Sequence, residues 1–121
     1  MKKKILIVDD NNDIRILLSH ELSAQGYQVL MASTGAEAIA HCTKEKPDLI
    51  LMDISMPDKD GPEAATDIKA NPATQDIPVI FLTALIHQGE IETGGETTDR
   101  IILSKATPVA ELVRIIEQAL E

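Results

Sequence analysis

The chain has 121 residues, a length that fits one domain able to bury a core without disulfide staples, and its lone Cys42 rules out an internal disulfide framework. A net charge of −9 and an aromatic content of 2% (Tyr27 and Phe81) argue against nucleic-acid binding, which needs clustered Lys and Arg or stacking rings, and against a basic membrane-binding surface. Nothing approaches the about 20 apolar residues that span a bilayer, and Lys2-Lys3-Lys4 leads into too short an apolar run for a signal peptide, so a cytoplasmic location is expected.

Strand-like and helix-like segments alternate along the chain. Lys4 to Asp9 reads as a strand, and Asn11 or Asn12 can cap the helix that follows, with Ile14, Leu17, Leu18 and Leu22 at helical spacing and Gly26 at its end. Tyr27 to Ala32 is the second strand. Ser33 or Thr34 begins a helix through Ala36, Ile39, Ala40 and Thr43 that stops before Pro47. Leu49 to Asp53 is the third strand, followed by the turn-rich loop Ser55 to Gly61 and a helix from Pro62 to about Ala70. Ile77 to Leu82 is the fourth strand. From Thr83 to Asp99 the pattern is poor: Leu85, Ile86, Glu90 and Ile91 suit a helix, but Gly89, Gly94 and Gly95 each cost about 1 kcal/mol there, so a short or displaced fourth helix is expected. Asp99 or Arg100 to Leu103 is the fifth strand. Pro108 opens a last helix, with Val109, Leu112, Val113, Ile116 and Leu120 facing inward. The alternation implies right-handed crossovers and a three-layer α/β sandwich, with residues 1–121 forming one domain.

The unbroken apolar runs Ile5-Leu6-Ile7-Val8 and Leu49-Ile50-Leu51-Met52 read as strands buried on both faces of a parallel sheet, and both end in acid: Asp9-Asp10 and Asp53. Chemistry in such sheets gathers at the carboxyl ends of the strands. Three carboxylates in one crevice repel unless something positive lies between them, and hard Mg²⁺ takes oxygen ligands of this kind. Thr83 follows the fourth strand and Lys105 the fifth, so one sheet edge would carry acids, a hydroxyl and an ammonium. Taken singly, Asp9 or Asp10 is better read as a helix cap, Asp53 as a turn acid, Thr83 as a cap and Lys105 as a solvated cation; the signal is their joint order. Asp58 and Asp60 read as loop acids. His20, His41, His87 and Cys42 lack metal-ligand spacing.

This constellation resembles the receiver domain of two-component response regulators over essentially the whole chain. Val8-Asp9-Asp10 resembles the family's acidic pair, Asp53 through Gly61 its phospho-acceptor loop, Thr83-Ala84 its switch hydroxyl and Lys105 its strand-five lysine. The resemblance implies a flavodoxin-like, doubly wound five-stranded parallel sheet in the order 2-1-3-4-5. It implies that Asp53 accepts a phosphoryl group from a sensor histidine kinase or phosphotransfer protein. Mg²⁺ would be held by Asp10 and Asp53, by Asp9 through water and by the Ser55 carbonyl. Lys105 and the Thr83 hydroxyl would contact the phosphoryl group, and a downstream output protein would read the change. The chain would be a signalling phospho-acceptor assisting its own phosphorylation and dephosphorylation, not an enzyme in the ordinary sense; homodimerisation stays open.

Three departures from the family pattern stand out. Lys105 is followed by Ala106 instead of proline, where a cis peptide would cost about 2.5–4 kcal/mol. The family's aromatic switch position is Ile102, which has no ring to swing, so a reordering of the glycine-interrupted stretch is the expected alternative relay. Leu85 offers no polar group to orient an attacking water, which predicts slow self-hydrolysis. The competing function is a degenerate receiver serving as a constitutive docking or dimerisation module. A flavodoxin-like cofactor binder or small phosphatase is weaker, because no Gly-rich phosphate loop follows the first strand.

Overall fold

The structure is a computed structural model that describes residues 2–54, 61–83, 91–93, 101–105 and 107–120, with residues 61, 62, 91–93, 101 and 102 described by backbone alone. Its elements in chain order are β1 (Lys4–Val8), α1 (Asn12–Ala24), β2 (Gln28–Ala32), α2 (Gly35–Glu45), β3 (Leu49–Asp53), α3 (Gly61–Ala70), β4 (Val79–Thr83), β5 (Ile91–Thr93), β6 (Ile101–Ser104) and α4 (Val109–Ala119). They form one six-stranded sheet in the order β2-β1-β3-β4-β6-β5. The five strands expected from the sequence, β1, β2, β3, β4 and β6, are parallel and lie in the expected order; β5 adds an antiparallel edge to β6.

The strands divide their side chains between two cores because successive residues point to opposite faces. Leu6, Val8, Ile50, Met52, Val79 and Phe81 pack with Ala38 and Cys42 of α2 and with Ala64, Ala65 and Ile68 of α3. Ile5, Ile7, Leu49, Leu51, Ile80, Leu82 and Leu103 pack with Leu22 of α1 and with Leu112, Ile115 and Ile116 of α4. That alternation produces the three-layer sandwich. It also explains why these strands read as continuous apolar runs.

Helix ends follow local chemistry. Asn11 caps α1, its side chain accepting from the Asp13 and Ile14 amides, so neither Asp9 nor Asp10 serves as the cap. Thr34 caps α2 by accepting from the Glu37 amide, and Glu37 accepts in return from the Ser33 amide and hydroxyl. Past α1, Gly26 has φ +96° and its amide bonds the Ser23 carbonyl, a left-handed stop that glycine accommodates. Lys46 ends α2 in the left-handed region just before Pro47.

Two expectations change. The fourth strand begins at Val79 and not Ile77, because the Ile77 amide bonds the Thr74 carbonyl in a turn and Pro78 has no amide to give to a ladder. Ile91, expected in a weak helix, is in a strand: Ile91 pairs with Leu103 and Thr93 with Ile101. β-branched Ile91 and Thr93 suit an extended backbone, and the open edge of β6 offers the hydrogen-bonding groups. The rest of the expected fourth helix, residues 84–90, and Asp99 and Arg100 lie outside the described residues. On α1, Leu22 is buried and Ile14 and Leu18 are half-buried, but Leu17 is 56% exposed.

Candidate functional site

Strand register brings the acids together. Val8 pairs with Met52, so Asp9 follows β1 beside Asp53 at the end of β3. Asp53 pairs with Leu82, one residue before Thr83, and Thr83 pairs with Ser104, one residue before Lys105. The Lys105 amide donates to the Thr83 carbonyl at 2.9 Å, extending that ladder and fixing where the lysine starts. Sheet order reverses between β1 and β3, which opens the crevice where ligands bind in sheets of this kind.

One carboxylate oxygen from each of Asp9, Asp10 and Asp53 lies within 4.8 Å of the others. Asp9 and Asp53 are buried, whereas Asp10 is exposed, so the cluster opens to solvent on the Asp10 side. Lys105 Nζ stands 2.9 Å from Asp9 Oδ2 and 3.3 Å from Asp53 Oδ1. Burial of the ammonium works against its charge, but hydrogen-bonding and charge from Asp9 and charge from Asp53 outweigh it and raise the lysine pKa above its ordinary 10.5. Among the described residues the three carboxylates and one ammonium sum to a formal charge of −2, which one divalent cation would offset. Asp9 Oδ2 is a buried oxygen with the Lys105 ammonium 2.9 Å away, and a carboxylate oxygen with one such partner keeps capacity for a further donor such as a water on a metal. An all-oxygen donor set with one solvent-facing member fits Mg²⁺, which keeps several of its waters.

Backbone hydrogen bonds hold the acidic turn. The Asp9 amide donates to the Ala32 carbonyl on β2 at 3.1 Å, and the Asn11 amide donates to Asp9 Oδ1 at 2.9 Å. Arg15 of α1 reaches back: its Nη1 donates to the Asp9 carbonyl at 2.7 Å and its Nη2 to Asn12 Oδ1 at 2.8 Å. Sequence reasoning passed over Arg15. A signal was present, since a cation near a helix N-terminus opposes the helix dipole and so calls for a compensating partner.

The response regulator receiver domain description matches residues 5–117 of this chain. The chain belongs to that family. Receiver domains accept phosphoryl groups in two-component signalling. Sporulation initiation phosphotransferase F of Bacillus subtilis is 44% identical over 84 residues, which cover 69% of this chain and 66% of that protein. Response regulator PleD of Caulobacter vibrioides is 37% identical over 105 residues, covering 87% of this chain but 23% of PleD. The chain thus spans just under two thirds of the first relative and a smaller share of longer regulators. Among solved structures, chemotaxis protein CheY4 of Vibrio cholerae superposes with a TM-score of 0.84 at 28% identity, covering 99% of this chain and all of that one. The receiver domain of sensor histidine kinase PA1611 from Pseudomonas aeruginosa gives 0.84 at 30% identity over 99% of this chain and 98% of its own, and that structure has a magnesium ion coordinated in its active-site cleft.

Within the receiver frame, Asp9, Asp10, Asp53, Thr83 and Lys105 all sit at carboxyl ends of the parallel strands as expected, and Thr83 is buried as the last residue of β4. Ser55, Asp58, Asp60, Leu85, His87 and the peptide joining Lys105 to Ala106 lie outside the described residues. His20 is exposed on α1 and His41 half-buried on α2, neither at the acidic cluster among the described residues. Cys42 is buried in the α2 core, and burial pushes its thiol up to about 11, which keeps it an unreactive filler. Among the described residues, no helix is long and apolar enough to cross a membrane.

Proposed function

We propose that this chain takes a phosphoryl group from a histidine kinase or phosphotransfer protein onto Asp53, in a Mg²⁺-dependent reaction, and thereby alters a surface that a downstream protein reads. The observation that carries the reading is the ammonium of Lys105 at ion-pair distance from Asp53, in a cluster with two further carboxylates. A carboxylate oxygen of Asp53 attacks the donor's phosphorus, the P–N bond to the donor imidazole breaks, and the electron pair leaves with the imidazole nitrogen, which takes up a proton. Such transfers depend on alignment and on neutralised charge more than on covalent chemistry by the protein. Asp10 and Asp53, with Asp9 through water and the Ser55 carbonyl, would hold Mg²⁺, which would neutralise charge on the transferring oxygens. Lys105 keeps Asp53 oriented beforehand and moves its charge to a phosphoryl oxygen afterwards. The Thr83 hydroxyl donates to the new phosphoryl group, and its shift alters the adjoining surface.

The reading extends to one receiver domain over residues 1–121, acting in the cytoplasm on protein partners and binding neither nucleic acid nor membrane, in keeping with its net charge of −9. With isoleucine at 102, the surface change proceeds without a rotating ring. The test is intact-mass measurement after incubation with Mg²⁺ and a small phosphodonor such as acetyl phosphate. A gain of one phosphoryl group that needs Mg²⁺ and vanishes in Asp53→Asn is expected. No gain in the wild-type chain would favour a docking module that works without phosphorylation.

A further inference from the structure

Asp10 is the exposed member of the acidic cluster, and hydrogen bonds tie the backbone on either side of it. Immediately before it, the Asp9 amide is tied to Ala32 and the Asp9 carbonyl to Arg15. Immediately after it, the Asn11 amide is tied to Asp9 Oδ1, and the Asn11 side chain caps α1. The peptide plane between Asp9 and Asp10 is therefore anchored at its oxygen by a charged donor at 2.7 Å, and that plane fixes the Asp10 N and Cα from which its side chain starts. The guanidinium is itself braced by its second bond, to Asn12 Oδ1 at 2.8 Å, so both ends of the fork close on one turn.

We infer that Arg15 is a positioning residue for metal binding: by holding the Asp9 carbonyl it sets the direction of the Asp10 carboxylate, and so tunes the affinity of the cluster for a divalent cation. The inference rests on the Mg²⁺ reading above. Two physical effects of Arg15 oppose each other, which makes it testable. As a bare positive charge near the cluster, Arg15 would weaken cation binding, and its removal would strengthen it. As a brace on a ligand-bearing turn, its removal would weaken binding; losing an outer contact that orients a metal ligand typically costs 10–100-fold in affinity.

Calorimetric titration of MgCl₂ into the full chain, its Arg15→Met and its Arg15→Lys variants, with metal-free thermal melting of each, separates the possibilities. Expected is about a tenfold weaker Mg²⁺ affinity in Arg15→Met. Arg15→Lys, which keeps the charge but cannot supply both arms of the fork, should fall between it and wild type. A lowered melting temperature with unchanged Mg²⁺ affinity, or tighter binding in Arg15→Met, would overturn the inference while leaving the metal reading intact. Should Arg15→Met not fold, Arg15→Lys decides: wild-type affinity there overturns the inference and weakened affinity supports it. Absence of Mg²⁺ binding by the wild-type chain would overturn the metal reading and this inference with it.

Discussion

Lys105 carries a heavy electrostatic duty in the cluster, because its ammonium lies at ion-pair distance from both Asp9, just after β1, and Asp53, at the end of β3. Replacing it with methionine removes the ammonium that lies between Asp9 and Asp53. A buried polar group left unsatisfied costs about 1–3 kcal/mol, and the 19% exposure of the lysine side chain places the cost toward the lower end through solvent screening. Urea denaturation in EDTA should show Lys105→Met less stable by that amount. Added Mg²⁺ should narrow the gap by supplying charge of the same sign. The raised pKa of Lys105 fixes the pH dependence. A group whose folded pKa lies above its unfolded one contributes fully below the unfolded value and is lost as pH rises through the folded value. The stability difference between wild type and Lys105→Met should therefore be constant through neutral pH and shrink above the ordinary lysine value of 10.5.

Among the elements, α1 shows what periodicity can and cannot decide. Apolar residues at helical spacing mark a stripe about 100° wide or more, but which part of the stripe meets the sheet depends on how the helix docks. Leu22 lies fully in the core, whereas Leu17 keeps 56% of its surface. Thermal or urea denaturation should give Leu22→Ala a loss of about 2–5 kcal/mol, as for other buried leucines, and Leu17→Ala a change within about 0.5 kcal/mol. The stop of the same helix is a local matter and was readable as such. Gly26 has φ +96° with open space where a Cβ would sit, so Gly26→Ala should cost roughly 1–2 kcal/mol from backbone conformation alone, not from a clash. β5 is the contrary case. Ile91, Glu92 and Thr93 carry no pattern long enough to specify a strand, and they become one through pairing with β6. Sequence spacing reads local periodicity; it does not read the hydrogen-bonding edge that a distant strand leaves open.

Taken whole, the molecule ties assembly of the carboxylate cluster to folding. The three carboxylates come from β3 and the turn after β1, and the lysine follows β6, so the cluster exists only when the sheet is assembled. A cation that binds the native chain alone stabilises it by about 2.7 kcal/mol at one hundred times its dissociation constant. Millimolar Mg²⁺ should accordingly raise the melting temperature over an EDTA control. Asp10→Asn should abolish that rise, yet melt higher than wild type in EDTA, because one of three mutually repelling carboxylates is gone while the buried pair with Lys105 stays. The amino-acid sequence by itself determined the layered α/β class, the parallel strands and the acids, hydroxyl and ammonium at their ends, because unbroken aliphatic runs and residue order are local properties that survive without coordinates. Tertiary structure alone decided that Lys105 bridges Asp9 and Asp53, that Arg15 holds the Asp9 carbonyl, that Leu17 stays in solvent and that β5 joins the sheet. Each of those depends on distances between segments remote in the chain or on the rotation of a docked helix, and no spacing within one segment encodes them.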